Sequence, residues 1–349
     1  MRDEQGHEPG MGLETERLRA SDVARAAALL RAGGTVAFPT ETVYGLGANA
    51  LDSAAVAKIF AAKQRPAWDP AIVHVEGRAM LERVAVVPAG DEGRMVARLM
   101  EAFWPGPLTL LLPRTVEVPD SVTAGRPLVG VRSPAHPVAR KLIRLAGVPV
   151  VAPSANRFGH TSPTTAAHVL ADLDGRIDAV LDGGATSVGV ESTVLDVAAR
   201  AIYRPGAVTA AMIAEAIGEE VRVVPSVGVA TLEAMASPGM GSRHYAPRAR
   251  LLLVEGQKGL LREVANYSAD EVGVMLPDGW DAGGAGVVFR WGAWDDAETL
   301  ARLLFAGLRM LDGRGVKVIV CPMPTMDGLG EALRDRLEKA ARASPHPRR

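Results

Sequence analysis

GGTVAFPTETVYGLGANAL, residues 33–51, is the stretch whose reading decides the fold. Thr35, Val36, Ala37 and Phe38 have the β-branched and apolar content of a buried strand, and Pro39 ends the ladder because it has no N–H to donate. Thr40, Glu41, Thr42 and Tyr44 then set hydroxyls and a carboxylate where the backbone leaves the sheet. Gly45 and Gly47 are expected to keep that surface clear of side chains, so that a ligand can approach. GLGANA also matches the loose dinucleotide-binding pattern GxGxxA. Pro39 and five further residues separate it from the strand, however, and the next helix starts only at Asp52, which argues against such a site.

On the N-terminal side, Val23, Ala26, Ala27 and Leu30 fall at helical spacing, with Ser21 as the expected N-cap and Gly33 as the stop. On the C-terminal side a helix is predicted over 52–63, capped by Asp52, followed by the strand AIVHV at 71–75. Strands then read at LTLLLP, LVGVR, VPVVAP, AVLDGG, STVLDV and AIYRP, with helices around 91–103, 137–146, 164–172 and 209–217. Interspersed helices and strands predict a layered α/β domain, and the crowding of late strands predicts a mixed sheet. Residues 226–248 have linker composition. Beyond them RLLLVEG, EVGVML, GVVFRW and VKVIVC alternate with helical patterns that end around 329–342, which predicts a second, smaller α/β domain. The expected division is 15–225, a linker at 226–248 that covers the site, and 249–349.

The chain has 349 residues, beyond the size at which one core stops growing, and 48% are hydrophobic, enough for two cores. A formal net charge of −1 provides no global attraction to nucleic acid or anionic membrane. Cys321, the one cysteine, follows the apolar run VKVIV and reads as a buried core thiol in a reducing compartment. No signal-like apolar run opens the chain and no window approaches about 18 uncharged apolar residues, so a cytoplasmic location with no membrane partner is expected.

Four polar insertions at strand edges could carry chemistry. Lys63 and Arg65, in AAKQRP, stand where Pro66 stops the helix; they either complement its negative end or clamp phosphates. Ser154 and Asn156 display a hydroxyl and an amide after the strand VPVVA. GVEST at 189–193 and RPG at 204–206 complete a set that one cavity could gather. No GxxxxGK[ST] loop, HExxH, paired CxxC or GxSxG elbow occurs, which weakens the common kinase, zinc-hydrolase and serine-esterase readings.

PTETVYGLG, KQRP before IVHV, VTAG before VRSP, APSAN, GVEST, RPG and HYAP occur in one order that resembles the two-domain threonylcarbamoyl-AMP synthases. The resemblance implies a YrdC-like twisted mixed open sheet with helices, then a smaller Rossmann-like α/β domain. It further implies a nucleotidyltransferase that converts L-threonine, bicarbonate or CO2, and ATP into threonylcarbamoyl-AMP and pyrophosphate, with Mg²⁺ expected. A downstream tRNA-modifying threonylcarbamoyl transferase would take the product. Position by position, it sets Thr40, His74, Arg132, Ala152 and Ser192 around threonine. Lys63, Arg65, Ser154, Asn156, Arg204 and Tyr245 fall around ATP, with Lys63 and Arg65 as the catalytic cations. Asp69 stands where the family usually has Asn, and either holds Mg²⁺ beside the ATP or points away. Two other functions compete: a non-catalytic RNA-binding module, weakened by an aromatic content of 4%, and a related carbamoyl or adenylyl transferase acting on another amine.

Overall fold

The computed structural model describes residues 14–225 and 245–343. The first domain's strands are β1 (Glu16–Arg19), β2 (Val36–Pro39), β3 (Tyr44–Asn49), β4 (Ile72–His74), β5 (Leu108–Pro113), β6 (Leu128–Arg132), β7 (Val150–Val151), β8 (Ala179–Asp182), β9 (Thr193–Asp196), β10 (Ala201–Arg204) and β11 (Arg222–Val223). They form one 11-stranded sheet in the order β1-β8-β2-β3-β7-β4-β6-β5-β9-β10-β11. Parallel pairs such as β4 with β6 alternate with antiparallel ones such as β5 with β6, so the sheet is mixed as expected.

The decisive stretch departs from expectation after Pro39. The chain leaves the sheet only for residues 40–43 and returns as β3, which pairs antiparallel with β2, Phe38 opposite Gly45 and Pro39 opposite Tyr44. GLGAN is therefore strand. A Cβ at Gly47 would meet Phe38 Cε1 at 2.7 Å and Val150 Cγ1 at 2.8 Å, so this glycine serves strand packing and not ligand approach. Ser21 is not the cap of the first long helix either. A 3₁₀ turn, Ala20–Asp22, precedes the helix Val23–Arg31, and the Asp22 carboxylate accepts from the Arg19 N–H at 2.9 Å.

The helix Ser53–Lys63 forms as its sequence predicts: the Asp52 carboxylate accepts from the N–H groups of Ala54 at 2.9 Å and Ala55 at 3.1 Å. Val56 and Ile59 on its buried face join Leu46, Val73 and Leu110 in the main core. Each fully buried aliphatic side chain of this kind contributes roughly 1.5–3 kcal/mol. The short elements β1, β11 and the helices Arg78–Val84 and Asp120–Thr123 escape sequence reading, because few residues leave little periodicity to detect.

The second domain holds β12 (Arg250–Val254), β13 (Val272–Pro277), β14 (Val287–Gly292) and β15 (Val318–Pro322) in the order β12-β15-β13-β14, all neighbours parallel. Its inner strands β13 and β15 are fully buried apolar runs, whereas the edge strand β14 carries the exposed Arg290. Cys321 on β15 is fully buried and burial raises its thiol pKa, as befits a core residue. The helices Ala297–Gly313 and Leu329–Ala343 face the first domain, where Phe305, Leu333 and Leu337 share a core with Val43, Val190 and Tyr245. Gly189 makes that contact feasible: its φ is +83° and a Cβ there would lie 2.4 Å from the Ala301 carbonyl oxygen. Arg309 adds a polar tie, 2.7 Å from the Asp172 carboxylate.

Candidate active site

One cavity gathers most of the polar insertions: Thr40, Thr42, Val43, Gly45, Arg65, Ile72, His74, Arg132, Ala152, Pro153, Ser154, Glu191, Ser192, Arg204 and Tyr245 line it. Strand geometry explains several of these positions. Ile72 and His74, two apart on β4, project to the same face. His74 is the register partner of Arg132 on β6, so imidazole and guanidinium emerge side by side. Gly45 bridges Ser154, bringing the hairpin against the loop that follows β7. The cavity thus lies against the sheet's face as well as among loops at strand ends.

Its wall is built from buried ion pairs. Arg132 lies 2.7 Å from the Glu41 carboxylate, both side chains below a tenth exposed, and its Nη1 donates to the Thr42 hydroxyl at 2.9 Å. The permanent charge within that apolar strand therefore has a fixed partner in the protein, supplied by the very turn that follows β2. Arg65 lies 2.9 Å from Asp69 and donates to the Pro70 carbonyl at 2.6 Å. Arg204 donates to the Ser192 carbonyl at 3.0 Å and its hydroxyl at 3.1 Å, and the Ser192 hydroxyl also meets that of Thr109 at 2.8 Å. Burial lowers the Arg204 pKa, the first of several opposing influences.

Some buried groups in and around the cavity retain hydrogen-bonding capacity. Among the described residues, His74 Nδ1, Arg132 Nε and Asn156 Oδ1 have no hydrogen-bond partner. Burial, reinforced by the Arg132 charge, pushes the His74 pKa down to about 3, so the imidazole is neutral near pH 7 and its ring offers one donor and one acceptor. Unpartnered buried polar atoms are few in folded proteins, and two of those here, His74 Nδ1 and Arg132 Nε, belong to residues that line the cavity.

Thr40, His74, Arg132, Ala152 and Ser192 all reach the cavity, as do Arg65, Ser154, Arg204 and Tyr245. Lys63, Asp69 and Asn156 stand behind the lining. The Lys63 ammonium is buried and donates to the carbonyl oxygens of Ser154 and Asn156, tying the helix end to the loop after β7. Burial first, then the Arg65 charge, lowers its pKa well below the ordinary lysine value. Asn156 donates to the carbonyls of Arg157 and His160 at 2.9 and 2.7 Å. The Asp69 carboxylate is turned onto Arg65, and burial raises its pKa. His244 and residues 226–243 of the expected cover lie outside the described residues.

Two participants carry no motif-level signal of their own role. Glu191, within GVEST, accepts from the Ser162 hydroxyl at 2.5 Å and from Arg336 Nε at 2.8 Å. Arg336 lies 145 positions away in sequence on the helix Leu329–Ala343. The signal that could have found it is its place on the apolar stripe with Leu333, Leu337 and Ala340, where a lone charge demands a partner.

Magnesium requires oxygen ligands that are free to coordinate. The cavity carboxylate Glu191, and Glu41 and Asp69 behind the lining, are each paired with an arginine, and among the described residues no group of three His, Cys, Asp or Glu side chains is placed to hold a metal. A protein-held Mg²⁺ site does not fit this donor set.

Residues 28–206 match a family model described as telomere recombination, and residues 208–342 match one described as threonylcarbamoyl-AMP synthase, C-terminal domain. The threonylcarbamoyl-AMP synthase of Pyrococcus abyssi is 44% identical over 336 residues, 93% of this chain and 96% of the relative. That of Bacillus subtilis is 42% identical over 94% of this chain and 95% of its own. Among solved structures, P. abyssi Sua5 complexed with L-threonine superposes with a TM-score of 0.86 at 42% identity, covering 94% of this chain and 98% of that one.

Proposed function

The chain belongs to the two-domain threonylcarbamoyl-AMP synthase family, and from that premise we infer the work of its cavity. It is an enzyme that makes threonylcarbamoyl-AMP and pyrophosphate from L-threonine, bicarbonate or CO2, and ATP, for the threonylcarbamoyladenosine modification of tRNA. The observation that carries the assignment of roles is the convergence, on one cavity, of Thr40, His74, Arg132, Ala152 and Ser192 with Arg65, Ser154, Arg204 and Tyr245. In our reading the first set holds threonine and the second holds ATP.

The threonine amine adds CO2 to give a carbamate, and a carbamate oxygen attacks the α-phosphorus as pyrophosphate leaves. No protein nucleophile takes part, so catalysis is positioning and charge stabilisation. Neutral His74 and Arg132 orient the amino acid, with Glu41 keeping the guanidinium in one place. Arg65, held by Asp69, and Arg204, held on Ser192, present cations to the phosphates. Lys63 and Asn156 support them by fixing the loop of Ser154. Any magnesium arrives on the triphosphate as part of the substrate. Tyr245 closes one side of the cavity, which supports exclusion of water from a carbamate and mixed anhydride that hydrolyse readily.

Among the described residues no helix is long and apolar enough to cross a membrane, and with its single buried thiol the enzyme suits the cytoplasm. A tRNA-modifying threonylcarbamoyl transferase would consume the product there. The decisive assay is pyrophosphate release from ATP with threonine and bicarbonate supplied together or singly. Release requires both; release that ignores threonine, or that another amino acid supports equally, overturns the reading.

A further inference from the structure

We propose that Arg336, on the last helix of the second domain, is a positioning residue for the active site of the first, acting through Glu191 and Tyr245. The inference deepens the functional reading above and rests on it. Arg336 is fully buried and places four contacts around one guanidinium. Nε donates to the Glu191 carboxylate at 2.8 Å and Nη2 reaches the Glu191 carbonyl at 3.4 Å, so side chain and backbone of one residue are both held. Nη1 lies 2.6 Å from Asp335. The guanidinium carbon stands 5.6 Å from the centre of the Tyr245 ring, which also stacks on Phe305 at 5.6 Å.

Glu191 and Tyr245 both line the cavity, and Ser192 follows Glu191 directly. The segment is pinned from two sides: Arg336 of the second domain holds the Glu191 carbonyl, and Arg204 of the first holds the Ser192 carbonyl. Charge within the network is matched, since Lys339 lies 2.9 Å from Asp335 while Arg336 faces Asp335 and Glu191. A fork of five donors can serve carboxylate, carbonyl and ring together; an ammonium cannot. The second domain thereby sets the geometry of a site to which, among the described residues lining the cavity, it contributes none, the nearest in sequence being Tyr245 of the linker.

The test compares Arg336→Lys and Arg336→Gln with the wild-type full chain, measuring thermal melting and initial pyrophosphate release with threonine and ATP varied separately. Arg336→Lys keeps a cation beside Glu191 and folds. Its kcat/KM for threonine, per folded molecule, is expected to fall on the order of tenfold to a hundredfold, because the carbonyl and ring contacts are lost. Arg336→Gln is expected to lower both melting temperature and kcat/KM further. A merely structural arginine would shift melting alone, so wild-type kcat/KM in folded Arg336→Lys overturns the proposal and leaves the functional reading intact. Wild-type protein without threonine-dependent release would instead overturn the functional reading, and this inference with it.

Discussion

The two domains use buried charge in opposite ways. The first buries Glu41, Lys63, Asp69, Arg132, Glu191, Asp196 and Arg204. In the second, the wholly buried charged residues among those described are Arg336 and Lys339, both on the helix that faces the first domain. Elsewhere its interior is Val274, Phe305, Leu308 and Ile319 beneath a parallel sheet. Burying an ion pair seldom stabilises a fold relative to well-packed apolar side chains, because both charges lose water. A domain that does so repeatedly around one void is organised for binding charged ligands, whereas one that confines its buried charges to an interface is organised to be a scaffold.

Arg132→Met should break this contrast most severely. It strands the Glu41 carboxylate without its cation, which costs about 3–5 kcal/mol of stability, and it removes a group that we assign to threonine. Denaturant melts and pyrophosphate release should both collapse; a variant as stable as wild type would show that the pair at 2.7 Å is dispensable. Next, Arg65→Ala and Lys63→Ala should each lower kcat by roughly 10²-fold, the usual consequence of losing one preorganised cation or its support. Lys63→Ala should also lower the melting temperature, since the carbonyls of Ser154 and Asn156 lose their donor.

A smaller effect comes from pH. His74 is depressed to about 3 in the fold against an ordinary 6.5, so below pH 6.5 the unfolded chain takes up a proton that the native chain refuses. Its contribution is present above that value and is lost as pH falls, amounting to about 2 kcal/mol at pH 5. The stability difference between wild type and His74→Gln should therefore narrow as pH drops from 7 to 5, and a constant difference would refute the neutral buried imidazole. At the small end, Lys317→Ala removes an exposed pair with Glu271 on the second domain, whose lysine side chain is 74% exposed. Neither melting nor turnover should change measurably; a large loss would show that surface charge matters in the scaffold too.

Most elements were legible because their periodicity is local. The helix Ser53–Lys63 has its cap at Asp52 and its apolar face within one segment, and β5 and β6 are mainly apolar runs, interrupted by Thr109 and closed by Arg132. The hairpin of β2 and β3 was half read: the strand before Pro39 was visible, but GLGAN resembles loop until Phe38 and Val150 occupy the space that Gly47 vacates. The residue types of the site were visible as polar insertions at strand edges. Their partners were not.

Local chemistry alone therefore determined the α/β class, the second domain and the core thiol at Cys321, while the assignment of single side chains to threonine or ATP came from the motif resemblance. Tertiary structure decided that Arg132 is met by Glu41, that Asp69 pairs with Arg65, that the Lys63 ammonium lies behind the cavity wall, and that Arg336 reaches Glu191 from 145 positions away. The reason is physical. Periodicity and capping report interactions between residues a few positions apart, whereas the partner of a buried charge is chosen by strand register and domain contact, which bring together residues with no local pattern in common.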